Sequence, residues 1–182
     1  MKFNLILTII LITYISSYNR EKAVEYAYKY WKNINHDCKK GRWSCSPYGY
    51  FGNDHCKYTK AGGDCANFVS QCLIEGGITF PKTCNVRKCN VILGAQSLGN
   101  CLSKHLNWKK ACGKRLPPPD WIEKGDVIVY HEGSCTSRYT HAMIVTVGGK
   151  NAKVTGHTPG VKDKDWNHVR KKDYYEWLHF EH

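Results

Sequence analysis

Residues 62–73, GGDCANFVSQCL, put a cysteine after two glycines and an aspartate and just ahead of an apolar run. Phe68, Val69, Cys72 and Leu73 fall on one helical face, so the pattern predicts a short helix that Asp64 caps and that Gly76 and Gly77 end. Cys65 then sits in the first turn. The unpaired N–H groups and the positive end of the helix dipole favour a thiolate there, and they can hold the oxyanion formed when that thiolate attacks a carbonyl. The charge of Asp64 opposes thiolate formation slightly.

A nucleophile needs a base. His141 begins the stretch HAMIVTV, on the strand face it shares with Met143 and Val145, and His157 lies near the end of the next strand, VTGHT. If the hairpin loop is Gly148, Gly149 and Lys150, His157 faces His141 across the ladder, with Cβ atoms about 4.5–5.5 Å apart. If the loop has two residues, Thr158 takes that place and His157 turns away, so the chemistry predicts an odd loop length or a bulge. The first register supplies a thiol hydrolase: Cys65 attacks, His141 removes and returns the proton, and His157 fixes the tautomer of His141. Taken alone, His141 would read as a strand-end histidine in a satisfied hydrogen bond; the cysteine upstream and the histidine across the hairpin favour catalysis.

Cys65 competes for two roles, because the chain has ten cysteines and export would pair them. Cys72 is about 10.5 Å along the helix axis from Cys65, too far for a bridge that needs Cα atoms within roughly 7 Å. The expected partition leaves Cys65 free and Cys72 in the core. Cys38, Cys45, Cys56, Cys84, Cys89, Cys101, Cys112 and Cys135 then serve as staples in loops. The alternative is that all ten pair. No C-x-x-C pair or H-x-x-x-H spacing supports a zinc site, so neither metal nor cofactor is expected.

The elements that must position these residues read as helices first and strands after. SYNREKAVEYAYKYWKN is an amphipathic helix with Asn19 at its start. Residues 36–62 are a stapled loop, and residues 80–120 a second irregular insert with a short helix around 101–108 and three prolines in LPPPDW. GDVIVYHEG, THAMIVTVGG, AKVTGHT and YYEWLHF are strands. That order is an α+β domain with N-terminal helices on an antiparallel sheet.

Residues 1–17, with one lysine, an apolar run and an exit through Ser16 and Ser17, have the layout of a secretory signal peptide, with residues 18–182 as a single domain. The expected location is extracellular, or the lumen of an oxidising or digestive compartment, without stable membrane insertion. The formal charge is +12, which draws such a protein to anionic polymers or surfaces. Absence of a basic-aromatic motif argues against nucleic acid, and the chain is expected to be a monomer.

DCANFVSQCLIEGG, GDVIVY, HAMIV and VTGHT, in that order after NREKAVEYAYKYW, resemble the amidase domain family of the NlpC/P60 superfamily. The resemblance covers roughly the mature chain and implies a papain-like fold and a cysteine amidase or endopeptidase. It implies bacterial peptidoglycan stem peptides as substrate, Cys65 as nucleophile, His141 as base and His157 as third polar residue. The cysteine-rich inserts at 38–56 and 84–112 depart from the family pattern and could reshape the cleft. The competing expectation is a non-catalytic, cationic, disulfide-rich antibacterial protein that binds walls or membranes.

Overall fold

A computed structural model describes residues 18–32, 64–87, 90–169 and 173–181. Residues 1–17, the loop at 36–62 with Cys38, Cys45 and Cys56, and Cys89 lie outside the described residues.

Helix α1, Arg20–Tyr30, starts where expected, with Asn19 accepting from the Lys22 N–H at 2.9 Å. Its inner stripe is Ala23, Val24, Tyr26 and Ala27. Helix α2, Cys65–Glu75, packs across it through Phe68, Val69, Cys72 and Leu73, all fully buried. Each large apolar side chain sealed this way contributes about 1.5–3 kcal/mol. Gly77, at φ 97°, lets the Ile78 N–H reach back to the Leu73 carbonyl at 2.9 Å and stops the helix.

Six antiparallel strands follow, β1 (Lys109–Lys114), β2 (Val127–His131), β3 (Tyr139–Val147), β4 (Lys153–Gly156), β5 (Val161–Asp165) and β6 (Tyr174–His179), in the order β1-β6-β2-β3-β4-β5. The α+β arrangement is therefore as expected. Alternation splits the core into two clusters. Val127, Val129, Ala142 and Ile144 face the helices and join Phe68, Val69 and Leu73. Ile128, Tyr130, Met143, Val145 and Trp177 face the other way, under Ile122 and the half-buried Trp121 and Trp166. Both faces are covered, which is why β2 is buried at every residue.

Two strands and one helix depart from expectation. The helix in the second insert, α3 (Ala95–Asn100), begins earlier than residue 101 and runs on into a π-helical turn at Cys101–His105. Strands β1 and β5, KKACGK and VKDKD, have no apolar alternation to announce them. They are the two edges of the sheet, where lysine is favoured because it discourages pairing with other chains. Backbone ladders and side-chain ties hold them: Cys112 of β1 is bridged to Cys135, and Asp163 of β5 accepts from Thr146 Oγ1 at 2.7 Å. A second bridge joins Cys84, at the end of a 3₁₀ turn, to Cys101. These bridged cysteines thus lie partly in regular structure, whereas loops were expected. Cys65 and Cys72 are free. No helix among the described residues is long and apolar enough to cross a membrane.

Close approach at Gly76 sets how α2 meets the start of α1. A Cβ there would lie 2.3 Å from Tyr18 Cε2 and 2.9 Å from the Asn19 carbonyl oxygen. Gly76→Ala is expected to destabilise the fold by about 1–3 kcal/mol. Urea unfolding of the oxidised protein measures this, and an unchanged midpoint would show that the junction yields freely.

Candidate active site

Cys65 is the first residue of α2 and is half-buried. The residue before it is not the side-chain cap expected. Asp64 holds the N-cap position at φ −127° and ψ 8°, but its carboxylate accepts nothing from the first-turn N–H groups. Instead Asp64 Oδ2 meets His157 Nδ1 at 2.7 Å and Oδ1 accepts from Asn67 Nδ2 at 2.6 Å. His157 Nε2 lies 2.9 Å from the Tyr30 carbonyl, and its ring stacks on Phe68 with centroids 3.9 Å apart. Both ring nitrogens face acceptors. The Asp64 N–H in turn donates to Thr158 Oγ1 at 3.0 Å. The segment after β4 thus grips the start of α2 through two consecutive residues.

This placement corrects the expected pairing of His157 with His141. In the β3–β4 ladder Ile144 is opposite Thr155 and Val145 opposite Val154, then a bulge shifts the register so that Val147 is opposite Lys153. The loop is residues 148–152, longer than either length considered. Counting on from Ile144 puts Thr158 level with His141, and β4 has ended at Gly156. His157 turns to Asp64 and Tyr30, beside the residue that precedes Cys65. Asp64, first read as a cap, is half of the clamp; the signal available was its place beside Cys65, which an N-cap explains equally well.

His141 sits opposite Tyr130 with ring centroids 5.5 Å apart, on the sheet face away from α2. It nonetheless lines the same cavity as Cys65. A second bulge follows: Tyr130 pairs with His141 but His131 pairs with Tyr139, leaving Thr140 as the extra residue. That single insertion sends Tyr139 to the helix face, where it joins the other core cluster. Cys65, His141, Tyr139, Thr158 and Arg138 all line one cavity of about 480 Å³. The nucleophile and base inferred from sequence are brought to one cavity, and His157 is placed beside it.

Burial pushes the Cys65 thiol up to about 11. The backbone N–H groups of Ala142 and Ala66 pull it down, and the Asp64 carboxylate pushes it up further. The helix N-terminus therefore does not hold a thiolate at rest as expected, since loss of solvation outweighs its donors. At neutral pH the sulfur therefore keeps its proton. Cys72 is fully buried in the core, and burial raises its thiol well above the usual range.

Elsewhere, His131 is buried against Glu176 at 2.8 Å and close to Cys112. A cation would find a sulfur, an imidazole and a carboxylate there, but the sulfur is committed to Cys135. His131 Nδ1 lies 3.0 Å from the Ser137 carbonyl, so the ring ties β2 to the loop before β3.

A family model described as "Putative amidase domain" matches residues 17–180. The chain belongs to that family. Membership supports amide hydrolysis and a match that spans both the α2 cysteine and the β3 histidine. No curated protein and no solved structure matches the chain.

Two measurements check the site. Alkylation of Cys65 by iodoacetamide should quicken about tenfold per pH unit and level off near pH 11, while Cys72 stays unlabelled in the folded protein; a plateau below pH 8 would show a thiolate already formed at rest. His157→Ala strands the Asp64 carboxylate and should cost about 3–5 kcal/mol in urea unfolding. Replacing both partners, Asp64→Asn with His157→Gln, should cost clearly less than the single change, and equal costs would mean the two residues are not coupled.

Proposed function

We propose that the protein is a secreted cysteine amidase or endopeptidase of the NlpC/P60 superfamily, papain-like in arrangement, that hydrolyses amide bonds in bacterial peptidoglycan stem peptides. The observation that carries this reading is a free cysteine at a helix start sharing one cavity with a strand histidine, in a chain of an amidase family. His141 takes the Cys65 proton as the sulfur attacks the amide carbonyl, so no standing thiolate is required. The oxyanion draws on the N–H groups at the start of α2. When the C–N bond breaks, His141 gives its proton to the leaving amine. Water then attacks the thioester with His141 as base, the carboxylic acid leaves, and the thiol is restored. These steps call on no cofactor.

His157 acts in this scheme through Asp64, keeping the first turn of α2 in place, and not by orienting the base. Export through a signal segment at residues 1–17 fits the disulfides Cys84–Cys101 and Cys112–Cys135 among the described residues, and a charge of +12 fits an anionic wall polymer met by a monomer outside the producing cell. The outcome for a target cell is bacteriolytic.

Purified peptidoglycan incubated with the protein should release peptide fragments whose masses locate the cut bond. Cys65→Ala and His141→Ala should each lower the rate at least about 10³-fold with folding intact. Fragment release by Cys65→Ala at the native rate would rule out the thiol mechanism. Wall binding without release by the unmodified protein would point to a non-catalytic cationic binder. Product masses with an added amine group, in place of added water, would assign acyl transfer.

A further inference from the structure

We propose that Arg138 selects the substrate by binding a carboxylate next to the scissile amide, so that the cleft takes peptides carrying a free acid there. The proposal rests on the cysteine-amidase reading and names the substrate class it serves. Among the described residues lining the cavity, Arg138 is the one with a permanent charge, and none is acidic. The surrounding wall is apolar, with Leu93, Ala95, Pro159 and Val169. Among the described residues no carboxylate pairs with the Arg138 side chain. An unneutralised guanidinium beside low-dielectric walls is a strong and geometrically selective carboxylate site, since its planar fork donates two parallel hydrogen bonds.

The backbone that carries the arginine is held in place. It ends the loop between β2 and β3, and that loop is tied at several points. Cys135 is bridged to Cys112 of β1, the Ser137 carbonyl meets His131 Nδ1 at 3.0 Å, and the Glu132 N–H donates to the Arg138 carbonyl at 3.3 Å. Ser137 Oγ also donates to the Glu132 carbonyl and, at 2.6 Å, to the Ser134 carbonyl. Three residues on, past the extra residue Thr140, is the base His141. A loop so fastened fixes the backbone from which the exposed Arg138 side chain reaches the cavity wall. The general charge of +12 attracts any polyanion, but it cannot distinguish one carboxylate on a peptide from its amide.

Calorimetric binding to Cys65→Ala protein tests this without turnover. The probes are a stem tetrapeptide with free carboxylates and the same peptide with every carboxylate converted to carboxamide, at about 0.15 M salt, where the Debye length is about 8 Å. The acid form should bind about 10- to 100-fold more tightly. Adding Arg138→Ala should remove that difference, Arg138→Lys should restore part of it, and the exposed-charge control Lys150→Ala should leave it unchanged. Equal binding of the two peptides, a difference that survives Arg138→Ala, or an equal loss with Lys150→Ala would each overturn the proposal. Fragment release from peptidoglycan by the unmodified protein reports separately on the cysteine mechanism, so either idea can fail while the other stands.

Discussion

The buried pair of Asp64 and His157 is the constraint on which the rest of the site depends. A carboxylate with 1% exposure and an imidazole with 3% do not stabilise a fold cheaply, because both lose their water. What the pair achieves is position. Asp64 is covalently next to Cys65, and His157 is covalently next to Thr158, which accepts from the Asp64 backbone. The Tyr30 carbonyl adds the end of α1 to the same junction. Three segments distant in sequence therefore meet one residue away from the sulfur. Packing of Phe68 against the His157 ring closes the junction from the core side.

The sheet contributes an edge more than a surface. Strand β4 pairs with β3 only as far as Ile144 and Thr155 and then turns away. The Ala142 N–H is thereby left to the Cys65 sulfur, and His141 lines the same cavity. The extra residue at Thr140 then resets the alternation, so that Tyr139 and Arg138 enter the cavity as well. Two irregularities in one strand, at Thr140 and Thr146, do what a regular ladder could not.

Periodicity in the sequence carried the helices around Val24 and Phe68 and the strands through Ile128 and Ile144, because these bury one or both faces and must repeat to do so. It also singled out Cys65 and His141, whose types and places in their elements are chemically unusual. Strands β1 and β5 were invisible for the opposite reason: KKACGK and VKDKD bury almost nothing and are held by ladders to β6 and β4. The partner of His157 was missed because register depends on loop length and bulges together: an odd loop or a bulge was expected, and the odd loop 148–152 combined with the bulge at Thr146 cancels to put Thr158, not His157, level with His141. Asp64 was misjudged because a side chain that could cap a helix and one that leaves the cap to grip a histidine look the same in sequence.

The raised thiol has a further bearing, on survival and not on turnover. A chain that keeps a free sulfur alongside the bridges Cys84–Cys101 and Cys112–Cys135 carries its own agent of disulfide scrambling. Exchange proceeds through the thiolate, and a sulfur held protonated to about 11 offers almost none at neutral pH. The desolvation that holds the Cys65 proton thus also keeps this sulfur from attacking the protein's own bridges, or from being captured by stray oxidants, at neutral pH.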